Sequence, residues 1–120
     1  MRSTWIEHQG KKILYQDFSK NFFNSAAVKE ELAEVQKIVI AQPLKSVLVL
    51  SDFRDTNVGS DLLSVMNSAS ETTKAYVQKT AVLGVTGMKR KLADLLTALT
   101  GQPLKYFDDI ESAKNWLAED

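Results

Sequence analysis

Two polar segments of the chain hold residue types able to do chemistry. The first runs Ser51-Asp52-Phe53-Arg54-Asp55-Thr56-Asn57-Val58-Gly59-Ser60. Asp52 and Asp55 could pair as metal ligands or as acid and base, but aspartates between elements more often bond their own backbone and form turns. The second runs Gly84-Val85-Thr86-Gly87-Met88-Lys89-Arg90-Lys91. At the start of a helix its free N–H groups and partial positive charge would suit an anion. Three bases there oppose the helix dipole at about 0.3–1 kcal/mol per exposed charge, a cost that a bound phosphate or carboxylate would offset. The plainer alternative is a solvated basic turn screened by salt, with Gly84 and Gly87 serving close packing. The segment is no P-loop, because Gly84 and Gly87 stand too close and no Lys-Ser/Thr pair follows.

The remaining catalytic options are few. The chain has no cysteine, which removes thiolate nucleophiles, thiolate zinc sites, iron–sulfur clusters and disulfides. His8 is the single histidine and lies on an opening strand, remote from both polar segments. No nucleophile-elbow pattern accompanies it, so a Ser-His-Asp triad is not expected. A receiver-like phosphoacceptor at Asp52 would need an acidic pair after the first parallel strand and a lysine ending the last strand. Only Asp17 is near the first position, and Lys105 falls inside the strand. The expectation is a non-enzymatic domain with no metal and no cofactor.

The elements that would position these segments read clearly. Residues 5–8 and 12–18 alternate as strands around a turn at 9–11, where Gly10 can supply positive φ. Asn24 or Ser25 can cap a helix whose stripe is Val28, Leu32, Val35, Ile38 and Val39, and Pro43 closes that segment. The apolar run 46–50 reads as a strand covered on both faces. Leu62, Leu63, Met66 and Ala69 suggest a second helix, and 76–85 contains a second buried strand. Thr86 can cap a third helix with Met88, Leu92, Leu95, Leu96 and Leu99, ended by Gly101. A short strand at 104–107 follows. Asp108-Asp109-Ile110-Glu111 then resembles a capping box, with Asp108 as the cap of a fourth helix carrying Ala113, Trp116 and Leu117. The expected fold is one α/β domain over 1–120, with a mixed five-stranded sheet, an N-terminal antiparallel hairpin, then parallel strands and four helices. Ligands of such sheets bind beyond the carboxyl ends of the parallel strands, where both polar segments fall.

Composition narrows the partners. The 120 residues carry 15 Lys plus Arg against 15 Asp plus Glu, so no general field attracts nucleic acid or an anionic membrane. The N-terminal residues lack a signal peptide's apolar core, and no apolar run is long enough to cross a bilayer. A cytoplasmic address is the expectation. Phe18, Phe22, Phe23, Tyr106, Phe107 and Trp116 read as core or core-edge residues rather than base-stacking platforms. Phe22 and Phe23, being adjacent, cannot both face the core, so one is expected outside, against a partner, a lipid or a second copy.

Four stretches, GKKILYQDF at 10–18, SVLVLSDF at 46–53, YVQKTAVLGVTG at 76–87 and YFDDIESAKNWL at 106–117, resemble bacterial STAS/SpoIIAA-like proteins. These are the sulfate-transporter and anti-sigma-factor-antagonist domains. The resemblance implies a SpoIIAA-like fold and a regulatory domain that docks on a protein, with nucleotide or lipid binding suggested for some relatives. In the anti-sigma antagonists a serine at the start of the helix after the third strand is phosphorylated. Here Ser60 alone stands at that position, without the Asp before it and the Gly after it that mark the signature. The expected contact surface comprises Asp52, Arg54, Asp55 and Thr56 from the first segment and Thr86, Gly87 and Lys89 from the second, with Ser60 as candidate phosphosite. The partner is expected to be a protein. The alternative is an anionic small molecule or lipid held as cargo in a pocket lined by helix faces near Phe22 and Phe23.

Overall fold

The computed structural model of the protein describes residues 2–85 and 104–119. Strand β1 (Thr4–His8) turns into β2 (Lys11–Asp17) through Gln9 and Gly10, both at positive φ (51° and 79°). His8 pairs with Lys11, so the loop is two residues long. Two consecutive positive φ values match the twist of the flanking strands, which is why a glycine stands here. Helix α1 (Ser25–Ile40) follows, with Asn24 as cap: its carboxamide oxygen accepts from the Ala27 amide. Val28, Leu32, Val35 and Val39 form its buried stripe.

Strand β3 (Val47–Asp52) is buried along its whole length, as expected of a strand covered on both faces. Helix α2 (Ser60–Thr73), strand β4 (Val77–Leu83), strand β5 (Leu104–Phe107) and helix α3 (Ile110–Ala118) complete the described elements. The α3 cap is Asp109 rather than Asp108. Its carboxylate accepts from both the amide and the hydroxyl of Ser112, and the Ser112 amide above all holds the Asp109 carboxyl below the usual range.

Among the described residues the sheet has five strands in the order β1-β2-β3-β4-β5. The β1–β2 pair is antiparallel and the later pairs are parallel. Three helices fall among the described residues. The expected helix capped by Thr86 lies outside them, and so do Thr86, Gly87 and Lys89. No helix among the described residues is long and apolar enough to cross a membrane.

The pleat divides the core into two layers. Ile13, Leu48, Leu50, Ala81 and Leu83 meet Ala113 and Leu117 of α3 on one face. On the other face the apolar residues fall into two clusters. One joins Phe18, Phe53 and Val82 to Leu32 and Leu62. The second joins Leu14, Val47, Val49 and Val77 to Val39. A cavity of about 140 Å³ borders both.

Candidate functional site

The carboxyl ends of β2, β3 and β4 form one rim. Strand β3 runs past Leu50 to include Ser51 and Asp52, so Asp52 sits at the end of a buried strand and not in a loop. Its side chain is fully buried. One carboxylate oxygen accepts from the Arg54 backbone amide (3.0 Å) and from Arg54 Nε (3.0 Å). The other accepts from Tyr15 Oη (2.5 Å) and Arg54 Nη2 (2.7 Å). Burial alone would raise the Asp52 pKa, but the Arg54 guanidinium and the Tyr15 hydroxyl outweigh it and hold the carboxyl below its usual range. Burial, then the bond to Asp52, pushes the Tyr15 hydroxyl up to about 12. Hydrogen bonds to Asp52 raise the Arg54 pKa further.

Asp17 is the register partner of Asp52 across β2 and β3. Like charges directly opposite repel, and each carboxylate has its own arginine. Arg2 Nη2 lies 3.1 Å from Asp17 Oδ1 and also donates to the Ser19 carbonyl at 2.6 Å. Arg2 is held from behind: the amides of Arg2 and Ser3 donate to the buried Glu31 carboxylate on α1. Burial opposes ionisation of Glu31, yet the Ser3 and Arg2 donors keep its carboxyl below the usual range. A receiver-like acceptor needs a carboxylate open to attack, and Asp52 has both oxygens engaged.

The connections after β2 and β3 run alongside each other as a backbone ladder. Phe18, Lys20 and Phe22 amides donate to the carbonyls of Asp52, Arg54 and Asp55, and the Asn57 amide returns to the Phe22 carbonyl. Thr56 Oγ1 donates to the Phe18 carbonyl and accepts from the Asn21 amide, so this hydroxyl joins the two loops. Lys20, Phe22 and Asp55 all take positive φ (57°, 51° and 59°). Such non-glycine backbone costs on the order of 1 kcal/mol or more per residue and persists only where its surroundings enforce it.

The third strand's loop meets the next one at Gly84. The Phe53 amide donates to the Leu83 carbonyl at 2.9 Å. Gly84 has φ 85°, and a Cβ there would stand 2.5 Å from the Arg54 amide nitrogen. The glycine is required by this close approach of two backbones.

Phe22 and Phe23 are both exposed, at 62% and 85%, which corrects the expectation that they are core or core-edge residues with one of them outside. The left-handed turn at Phe22 aims neither ring at the core. Phe18 is the one core member of that stretch, stacked on Phe53 with ring centroids 4.9 Å apart. Ser60 is exposed as the first residue of α2, after a Gly59 cap that makes no side-chain bond. Asp61 beside it pairs with Lys29 at 3.6 Å. His8 pairs with the first residue of β2, so it stands at the opposite rim, 2.7 Å from Asn115 Oδ1. Among the described residues no group of three or more His, Asp or Glu is placed to hold a metal.

The structure therefore brings Asp52, Arg54, Asp55 and Thr56 together at one rim, with Asp52 and Thr56 committed to internal bonds. Asp17, the one acidic residue that the sequence places near this rim, belongs to the same cluster, as do Tyr15 and Arg2, which the sequence does not single out. Their signal was weak, because Tyr15 reads as a strand former and Arg2 as terminal. Comparison with protein-family models finds no match for the chain, and comparison with curated proteins finds no relative.

Proposed function

We propose that the chain is a non-enzymatic regulatory domain of the STAS/SpoIIAA-like type, acting in the cytoplasm, which docks on a protein partner through the rim built from 18–24 and 52–57. The observation that carries this reading is the paired-loop ladder that holds Phe22 and Phe23 in the open. Three non-glycine residues in those two loops hold positive φ, and strain of this kind clusters at functional surfaces. Exposed aromatics on a rigid frame are the usual anchors of a protein interface, because they bury large area at little entropic cost. Arg54, half in water, adds a charged rim contact. A hairpin-led sheet of parallel strands is the architecture that the resemblance implies. Ser60 is the candidate switch: a phosphoryl group at the start of α2 is favoured by the helix end and by Lys29, and opposed by Asp61.

The test uses Phe23→Ser, since this side chain touches no core. A photo-cross-linking residue at position 23 identifies the protein that docks there, and Phe23→Ser weakens capture of that protein by about tenfold or more with an unchanged melting temperature. Equal capture by the variant rejects this surface. Substituting Arg54 is the poorer test, because it also strips Asp52 of its counter-charge.

A further inference from the structure

We propose that the cavity beneath α1 and α2 is a binding site for a small uncharged molecule with a ring-sized apolar body and one hydrogen-bonding group. The proposal is independent of the rim surface.

Three polar residues cross the middle of an otherwise apolar sheet face. Gln16 of β2 stands opposite Ser51 of β3 in register. Thr80 of β4 pairs with Val49, which places it diagonally from Ser51. All three line the cavity, and they separate the two apolar clusters of that layer. Cores place polar groups inside only when their hydrogen bonds are closed. Here they are not. Gln16 is 8% exposed, and the single side-chain bond it makes among the described residues is with the Ser51 hydroxyl, at 3.1 Å. A carboxamide has two N–H donors and an acceptor. Whichever way the amide is turned, one end has no partner among the described residues and is open to the cavity.

The lining sets the chemistry of the guest. Among the described residues it contains no charged side chain, so an ion would lose its hydration with no counter-charge from them, and a neutral guest is favoured. The apolar walls, among them Leu32, Val35, Val39, Val49 and Met66, take a hydrocarbon body. The cavity measures about 140 Å³, and an apolar cavity of about 150 Å³ accepts benzene. A carbonyl or hydroxyl on that body completes the Gln16 amide.

The experiment is a titration of the full-length ¹⁵N-labelled chain with toluene, benzyl alcohol and benzoate at neutral pH, followed by amide shifts. Toluene and benzyl alcohol move the amides around Gln16, Ser51 and Thr80, and benzoate leaves them in place. Benzyl alcohol binds roughly threefold to tenfold more tightly than toluene, the worth of one hydrogen bond. Gln16→Leu combined with Ser51→Ala keeps toluene binding and abolishes the advantage of the alcohol. The proposal is overturned if neither neutral probe shifts these amides, if benzoate shifts them equally, or if the alcohol keeps its advantage in the variant. Should the double variant fail to fold, the ranking on the unaltered chain decides alone, and an alcohol no tighter than toluene refutes the site.

Discussion

Tyr15 and Gln16 are neighbours on β2, and Ser51 and Asp52 are neighbours on β3, yet the pleat sends one polar pair to each face of the sheet. On the α3 face, Tyr15 and Asp52 form a charged cluster at the rim in which both carboxylate oxygens are engaged by Tyr15 and Arg54. On the α1–α2 face, Gln16 and Ser51 form a neutral pair on a largely apolar cavity, with part of the amide unbonded among the described residues. One residue of register separates a closed polar cluster from an open one. A closed cluster fastens the backbone, and the open one is where the proposed guest binds.

The sharpest way to break this comparison is to truncate each pair and measure urea unfolding. Asp52→Ala leaves the Tyr15 hydroxyl and the Arg54 donors without an acceptor and costs about 2–3 kcal/mol, held to that range because Arg54 is half in water. Equal losses from the two faces would erase the distinction. Acid titration comes next. The Asp52 and Glu31 carboxyls are both held below the usual range, so the stability they supply is present above about pH 4 and is lost as pH falls through their lower native values. Arg54→Leu moves the acid-unfolding midpoint to higher pH. The alkaline side is smaller. Burial and the bond to Asp52 push the Tyr15 hydroxyl from the usual tyrosine range near 10 up to about 12, so its contribution is full below about pH 10 and disappears as pH rises toward 12. Tyr15→Phe costs about 1 kcal/mol at neutral pH and flattens that limb of the stability curve. The smallest effect belongs to the open pair: Gln16→Leu with Ser51→Ala stays within about 1 kcal/mol of the parent, because replacing both partners by apolar groups leaves no orphan.

Much of the frame was legible in the sequence. The alternation around Gly10, the stripe from Val28 to Val39 and the run at 46–50 each announce their element through periodicity. Punctuation was less sharp: the capping-box pattern put the α3 cap at Asp108, and it is Asp109 whose carboxylate reaches Ser112. The candidate site was harder to read. Ser51 and Asp52 look like the start of a loop because they are polar, whereas the ladder to β4 continues through both. Gln16 looks like a solvent-side residue of an alternating strand, but β2 is covered on both sides, so the alternation rule assigns it to water when it lies in a core. Phe22 and Phe23 carry the opposite lesson. Apolar composition suggests burial, and a left-handed backbone at Phe22 overrides it.

The strands stand in space in the order in which they occur along the chain, while α3 touches all five of them. A ribosome emitting this polypeptide could lay down the sheet strand by strand, each new one finding its neighbour already in place. The underside formed by Ile13, Leu48, Leu50, Ala81 and Leu83 would stay bare until α3 emerged. A nine-residue helix thus closes an apolar surface assembled long before it, and a nascent chain stalled ahead of Ile110 presents that surface to chaperones.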